Sequence, residues 1–270
     1  MFQEHGIKKI KNFLPEELKN NINTEIEDIS KKYLINGVTR ASTWHNKNLY
    51  EISNPVVNIN NTNLLEIASD VHELLKKETS NNYVLTRFRI IIEKKNGQPI
   101  GWHTDHKPNT IRAIIYLMGG EIGNGSLSYI RGSHKNIHDK KIHKIEPKKE
   151  ELENKIENID SNVGDLIFFD INGFHKKNIV FKERRVLFLE FQDENSSIEK
   201  QQIVLDNSKI SPKIKKNLDF LFFAKEETKL APPDYSSSVP ENTPFALFFD
   251  YIKTFVRIFL KRFLGKLKLK

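Results

Sequence analysis

The chain changes its hydrophobic rhythm near residue 80. Before that point apolar residues recur at helical spacing. In 63–78, NLLEIASDVHELLKKE, they fall at Leu64, Leu65, Ile67, Ala68, Val71, Leu74 and Leu75, which predicts a helix. Residues 15–33, PEELKNNINTEIEDISKKY, predict an earlier surface helix. Pro15 and two glutamates stand at its start and Lys31 and Lys32 at its end, as the helix dipole favours. Ile7, Ile10 and Phe13 predict a short strand leading into it.

After residue 80 the apolar residues become β-branched and aromatic. Strands are predicted at 83–93, 111–118, 126–130, 165–170 and 185–192, separated by turn signals at 96–99, 119–120, 123–125 and 172–173. Several short strands in this order argue for a sandwich or jelly roll rather than a βαβ protein. The densely charged stretch 136–162 predicts a long insertion on one rim, acting as a mobile lid. A last helix is expected at 209–227. Residues 228–244, with four prolines and three consecutive serines, read as a linker. The expected organisation is a domain over 1–227, the linker over 228–244 and a basic amphipathic helix over 245–270.

Composition narrows the function classes. With 270 residues and 18 phenylalanines the chain can build a real core. It has no cysteine, which excludes a disulfide framework, a thiolate metal site and cysteine catalysis. The N-terminus lacks the continuous apolar stretch of a secretory signal, and no apolar run is long enough to span a bilayer. Most of the net charge of +8 lies in 246–270, where seven Lys/Arg meet one Asp. The body is nearly balanced, so no nucleic-acid partner is expected. The tail, whose residues 245–270 carry six Phe beside its cations, has the pattern of an interfacial helix. The expectation is a cytoplasmic protein that this helix could hold on an anionic inner membrane face. The alternative is a helix docked on its own domain or on a partner subunit.

The chemistry concentrates in two segments. In IGWHTDHKP, His103 and Asp105 stand two apart, so on extended backbone both side chains point the same way. Imidazole and carboxylate make two-thirds of the facial triad of non-haem Fe(II), which needs a second His from elsewhere. Seventy-two residues after His103, GDLIFFDINGFHKKNIVFKERRVLFLEF supplies a strand, a turn, His175, and a strand that opens on Arg184 and Arg185. If that strand begins at Arg184, then Arg184, Val186, Phe188 and Glu190 share one face, and Arg185, Leu187, Leu189 and Phe191 the other. His106, His134, His138 and His143 read as surface-loop residues, and Trp102 and Tyr116 as packing. Either of Arg87 and Arg89 could face the pocket and meet an anionic substrate, or both could lie on a solvated edge. Asn178 is placed to order the loop after His175.

With these residues in place, the chain resembles the phytanoyl-CoA dioxygenase-like branch of the Fe(II)/2-oxoglutarate oxygenases over about residues 5–195. The likeness is carried by the opening GIKKIKNFLPEEL, His103-x-Asp105, the block NGSLSYIRGSHK (with Arg131 where a proline is usual), the distal His175 and the arginine pair. It implies a mainly β fold with flanking α-helices, a double-stranded β-helix (jelly roll, cupin-like). It implies Fe(II) held by His103, Asp105 and His175, and 2-oxoglutarate held through its distal carboxylate by Arg184, with Arg185 as the rival. Halogenating members lack the carboxylate ligand because chloride takes its coordination site. Asp105 is present, so the resemblance implies hydroxylation or a related oxidation of a small-molecule, lipid or glycan substrate, with release of succinate and CO2. The rival classes are a jelly-roll binding module without turnover and a peripheral membrane scaffold.

Overall fold

The structure, a computed structural model, describes residues 2–36, 39–41, 49–53, 62–93, 95, 99–105, 109–135, 155–195 and 212. The expected helix at 209–227, the linker at 228–244, the tail at 245–270, His106, His138, His143 and the stretch 136–154 lie outside the described residues or, at 209–227, almost wholly so.

Two antiparallel sheets face each other. The larger runs β1 (Ile7–Ile10), β9 (Leu166–Asp170), β6 (Thr110–Met118), β11 (Arg184–Asp193), β4 (Tyr83–Glu93), β3 (Leu49–Ser53) and β2 (Thr39–Ala41), in that spatial order. The smaller runs β5 (Ile100–His103), β10 (His175–Lys177), β7 (Leu127–Ile130) and β8 (Ile156–Ile159). From β4 onward the strands alternate between the sheets in the jelly-roll manner, except that β7 and β8 follow each other as an antiparallel pair within the smaller sheet. β1 joins the larger sheet at its edge, with Ile7 opposite Phe169.

After the one-turn α1 (Phe2–His5), the long helices cover the outer face of the larger sheet. The apolar stripe of α3 (Thr62–Glu78) buries Leu64, Leu65, Ala68, Val71 and Leu75, and Ile22 and Ile26 of α2 (Glu16–Asn36) are fully buried. They meet Leu187, Leu189 and Phe191 in one core cluster. A second cluster lies between the sheets and includes Ile114, Tyr116, Tyr129, Phe169, Val186 and Phe188. The alternation of β11 is thus realised: Val186 and Phe188 point inward, Leu187 and Leu189 outward.

One expectation needs correction. Residues 156–159 are not part of a rim insertion. They form β8, paired with β7 from Leu127↔Ile159 to Ile130↔Ile156. Their sequence IENI, with Ile159 buried and Ile156 exposed, is too short to give a clear apolar pattern, and among the described residues β8 is the outermost strand of its sheet with one neighbour. The rest of the expected lid, 136–154, lies outside the described residues.

Candidate metal centre

His103 closes β5 and His175 opens β10, and the two are direct cross-strand partners in the smaller sheet. Facing residues of an antiparallel pair point to the same side, and the two rings stand 4.2 Å apart between centroids. Each imidazole is anchored in the same way. His103 Nδ1 lies 2.8 Å from the carbonyl of Gly101, and His175 Nδ1 2.9 Å from that of Gly173. Donation from Nδ1–H leaves Nε2 of both rings as the acceptor.

Asp105 follows β5 by two residues, and its own N–H is held by the carbonyl of Ile171 at 2.9 Å. Its Oδ1 lies 3.8 Å from His103 Nε2 and its Oδ2 3.8 Å from His175 Nε2. The ligand-type atoms of His103, Asp105 and His175 all lie within 4.8 Å of one another, the only such group of three among the described residues. His175 Nε2 is buried without a hydrogen-bond donor and lies 3.8 Å from Asp105 Oδ2. A buried lone pair aimed into the cluster is costly unless something fills it, and a first-row divalent cation fits this N/N/O set.

Local devices hold the site in place. Ser133 of the Gly-Ser-His block donates to Ile130 O at 2.7 Å and accepts from Phe174 N at 2.8 Å, which fixes the residue before His175. Gly173 leaves room that a Cβ would fill against the Tyr129 hydroxyl. Asn178 donates to Ser126 Oγ and Ser128 Oγ at 2.9 and 3.0 Å and ties the end of β10 to β7, as a loop-ordering residue should. His134 lies apart from His103, Asp105 and His175, with Nε2 3.1 Å from Gln3 O.

Arg112 of β6 completes the cluster. Its Nη1 makes an ion pair with Asp105 Oδ2 at 2.6 Å and its Nη2 donates to Glu190 Oε2 at 3.1 Å. Its guanidinium lies over the ring of Phe188, 4.4 Å from the centroid. Burial opposes ionisation of Asp105, but Arg112 and then the two imidazoles outweigh it and hold the carboxyl well below the usual carboxylate range. Burial pulls His175 down to about 3, against the opposing pull of Asp105. A charged Asp and a neutral His are the forms that bind metal.

The arginine pair separates cleanly. Arg185 points outward, with Nη1 3.1 Å from Glu27 of α2 and Nε 2.6 Å from Glu183. Arg184 points between the sheets, where its guanidinium lies 5.4 Å from the centroid of Tyr116 and 3.5 Å from Glu93 Oε2. Glu93 faces Arg184 across β4 and β11 and also accepts a bond from Lys177 Nζ. Burial lowers the Lys177 pKa against the opposing pull of Glu93. Arg87 and Arg89 stand opposite Glu190 and Phe188 in register, so they share the inner face, and Arg89 lies over the Phe188 ring at 4.2 Å. The solvated-edge reading of these two therefore fails, because β4 is flanked by both β11 and β3.

Sequence reasoning singled out neither Arg112 nor Glu93 nor Lys177, and used Glu190 only as a marker of strand parity. Arg112 and Glu190 are lone charges within apolar strands on the parity of the inner face, while Glu93 ends such a strand beside Lys94 and Lys177 follows His175 at the same parity. That parity is the signal that could have found them, since a buried charge demands a partner.

The fold has many solved counterparts. The epimerase SnoN of nogalamycin biosynthesis aligns over 71% of this chain and 80% of its own, with a TM-score of 0.59 and 12% identity. The carbocyclase SnoK of the same biosynthesis aligns over 78% and 88%, with a TM-score of 0.59 and 16% identity. HygX from Streptomyces hygroscopicus, solved with nickel and 2-oxoglutarate bound, aligns over 72% and 85%, with a TM-score of 0.53 and 12% identity. At such identities the likeness shows the jelly-roll fold. No curated protein matches the chain in sequence. The family model of Phytanoyl-CoA dioxygenase (PhyH) matches residues 2–177, a span that holds His103, Asp105 and His175 and stops short of Arg184. With two-thirds of its length under that model and a jelly roll built around one His/Asp/His group, the chain belongs to the phytanoyl-CoA dioxygenase family.

Proposed function

We propose that the protein is an Fe(II)- and 2-oxoglutarate-dependent dioxygenase that hydroxylates a small organic substrate. The observation that carries this reading is the convergence of two Nε2 atoms and one carboxylate within 4.8 Å, with the other ring nitrogens already committed to backbone carbonyls. His103, Asp105 and His175 would hold the iron, and Arg184 would hold the distal carboxylate of 2-oxoglutarate. Bound iron supplies the means to couple O2 reduction to oxidative decarboxylation of 2-oxoglutarate to succinate and CO2, with oxidation of the substrate.

The protein's own part is positional. The Gly101 and Gly173 carbonyls hold the imidazoles in one tautomer and one orientation. Arg112 keeps Asp105 ionised. Phe169, Phe188 and Tyr129 wall the inner face with apolar surface that limits access of water. Arg184 offers a fork suited to a carboxylate. Asp105 occupies the place a halide ligand would need, which favours hydroxylation over halogenation. SnoN and SnoK are described as an epimerase and a carbocyclase, so the fate of the oxidised carbon is the finer question.

The test is stoichiometric. With Fe(II), O2 and an accepted substrate, 2-oxoglutarate consumption should match succinate formation and the gain of one oxygen atom in the product. Product that is desaturated, cyclised or epimerised without oxygen gain would reject hydroxylation. Absence of metal binding by the purified protein would reject the whole reading.

The same proposal gives 245–270 the task of holding the enzyme at an anionic membrane surface. No helix among the described residues is long and apolar enough to cross a membrane. Removing 246–270 should release the protein from anionic vesicles and leave metal binding intact.

A further inference from the structure

Glu93 is fully buried and stands directly opposite Arg184, the residue proposed above to hold the distal carboxylate of 2-oxoglutarate. A second carboxylate there would repel that ligand and compete for Arg184. The local geometry shows how the competition is managed. Glu93 Oε1 accepts from Lys177 Nζ. Glu93 Oε2 stands 3.5 Å from Arg184 Nη1, beyond the 2.7–2.9 Å of a charge-assisted bond, and has no hydrogen bond. Arg184 Nε is also buried without an acceptor. An arginine and a glutamate directly opposite each other in register, both buried, would ordinarily close into a tight bidentate pair. Here they do not.

Two features hold them apart. Lys177 leaves β10 two residues after His175 and so shares its face, which brings its ammonium to Glu93 from the opposite sheet. Arg184 cannot shift freely, because its Cδ lies where a Cβ on Gly125 would stand and its guanidinium lies over Tyr116. The loop that leads into Arg184 is fastened too. Gly125 N donates to Ile179 O at 2.7 Å, and Lys182 N to Asn124 Oδ1 at 2.9 Å. Two cations and one carboxylate leave a single positive charge, which matches one incoming carboxylate group.

We infer that Lys177 reserves Arg184 for the cosubstrate: by holding Glu93 it stops that carboxylate from capturing the guanidinium, and so leaves Arg184 Nε open to the distal carboxylate of 2-oxoglutarate. Lys177 is then a positioning residue that sets selectivity for a dicarboxylate. The inference rests on the assignment of Arg184 proposed above.

The experiment is calorimetric titration of the Mn(II)-loaded full-length protein, without turnover. The ligands are 2-oxoglutarate and 2-oxopentanoate, which keeps the chelating end and lacks the distal carboxylate. Lys177→Met should weaken 2-oxoglutarate by about tenfold or more, the scale of one lost charge-assisted bond, and leave 2-oxopentanoate unmoved. Adding Glu93→Gln to that variant should restore 2-oxoglutarate binding, because no carboxylate is left to compete. Glu93→Gln alone should not weaken it, and this variant decides the matter if Lys177→Met fails to fold. The inference is overturned if Lys177→Met has no effect, if it weakens both ligands alike, if Glu93→Gln does not rescue it, or if Glu93→Gln alone lowers affinity tenfold. Arg184→Ala separates the two levels. If it leaves 2-oxoglutarate binding unchanged, the assignment of Arg184 falls and this inference with it. If it abolishes binding while Lys177→Met does nothing, only this inference falls.

Discussion

The two faces of β11 are a single ten-residue strand in two different environments. Outward, Leu187, Leu189 and Phe191 are fully buried among the helices, and the one charged residue near them, Arg185, sits at the strand's end with Glu27 and Glu183. Inward, Arg184, Phe188 and Glu190 are buried among Glu93, Lys177, Arg89 and Arg112. The outer face buries apolar area, which stabilises at about 25 cal/mol per Å². The inner face buries ions beside the apolar Val186 and Phe188, and the desolvation of those ions offsets much or all of what their pairing returns. The outer face of β11 therefore serves stability alone, while the inner face also carries the chemistry. The sheet between them lets the second be built without the first having to change.

The sharpest way to break this division is to remove a ligand. Asp105→Ala and His175→Ala should each abolish detectable turnover and weaken Mn(II) binding by well over the roughly 10–100-fold typical of losing a mere supporting partner. The denaturation midpoint of the metal-free protein should fall little in the Asp105 variant, because Arg112 keeps Glu190. Metal titration followed by urea unfolding of the same samples reads both quantities. A ligand variant that unfolds the metal-free protein would show that the ions of the inner face carry stability after all.

The reverse experiment is Phe191→Ala on the outer face. Deleting a fully buried aromatic should cost about 3–5 kcal/mol of unfolding free energy. Mn(II) and 2-oxoglutarate affinities of the folded fraction should stay near those of the parent. If metal affinity fell along with stability, the two faces would be coupled through the sheet.

The same division explains what could be read in the chain. The strand β4 and the helix α3 emerge from sequence almost to the residue, because one has a long β-branched run and the other an unbroken apolar stripe. The smaller sheet is harder to see. β5, β8 and β10 are IGWH, IENI and HKK, each of three or four residues, and their strand character comes from pairing rather than propensity. His103, Asp105 and His175 stand out because their chemistry is rare and their order matches a known family. Arg112, Glu93 and Lys177 do not, since a charge in a strand is read by default as solvent-facing. Only the register, which places Arg112 beside Glu190 and Glu93 beside Arg184, reveals them as mutual partners.

A smaller effect is expected one step from the metal. Glu190 shares Arg112 with Asp105, so the guanidinium does not fully neutralise the ligand carboxylate. Glu190→Gln should leave Arg112 to Asp105 alone and weaken Mn(II) binding by about 10–100-fold, the usual range for a group that orients a metal ligand. Stability should hardly change, because the amide keeps a hydrogen bond to Arg112. Unchanged metal affinity would show that Glu190 only packs.

The smallest effect belongs to Arg185, and it tests the comparison at the point where the two faces meet. Its side chain is 10% exposed and its partners are 53% and 25% exposed, so solvent screens both pairs. Arg185→Ala should cost no more than about 1 kcal/mol of stability, the upper end for exposed ion pairs. It should leave the affinity for 2-oxoglutarate unchanged, since its guanidinium points at α2 and not between the sheets. Arg184→Ala, one residue away, should do the opposite, with a loss of about 1.5–3 kcal/mol in 2-oxoglutarate binding, as for a hydrogen bond to a charged group. Parallel titrations of the two variants, with urea unfolding of each, give all four numbers. If the two arginines proved interchangeable in binding, parity along β11 would not govern which side chains reach the cosubstrate, and the division between a stabilising face and a chemical face would fail at its first residue.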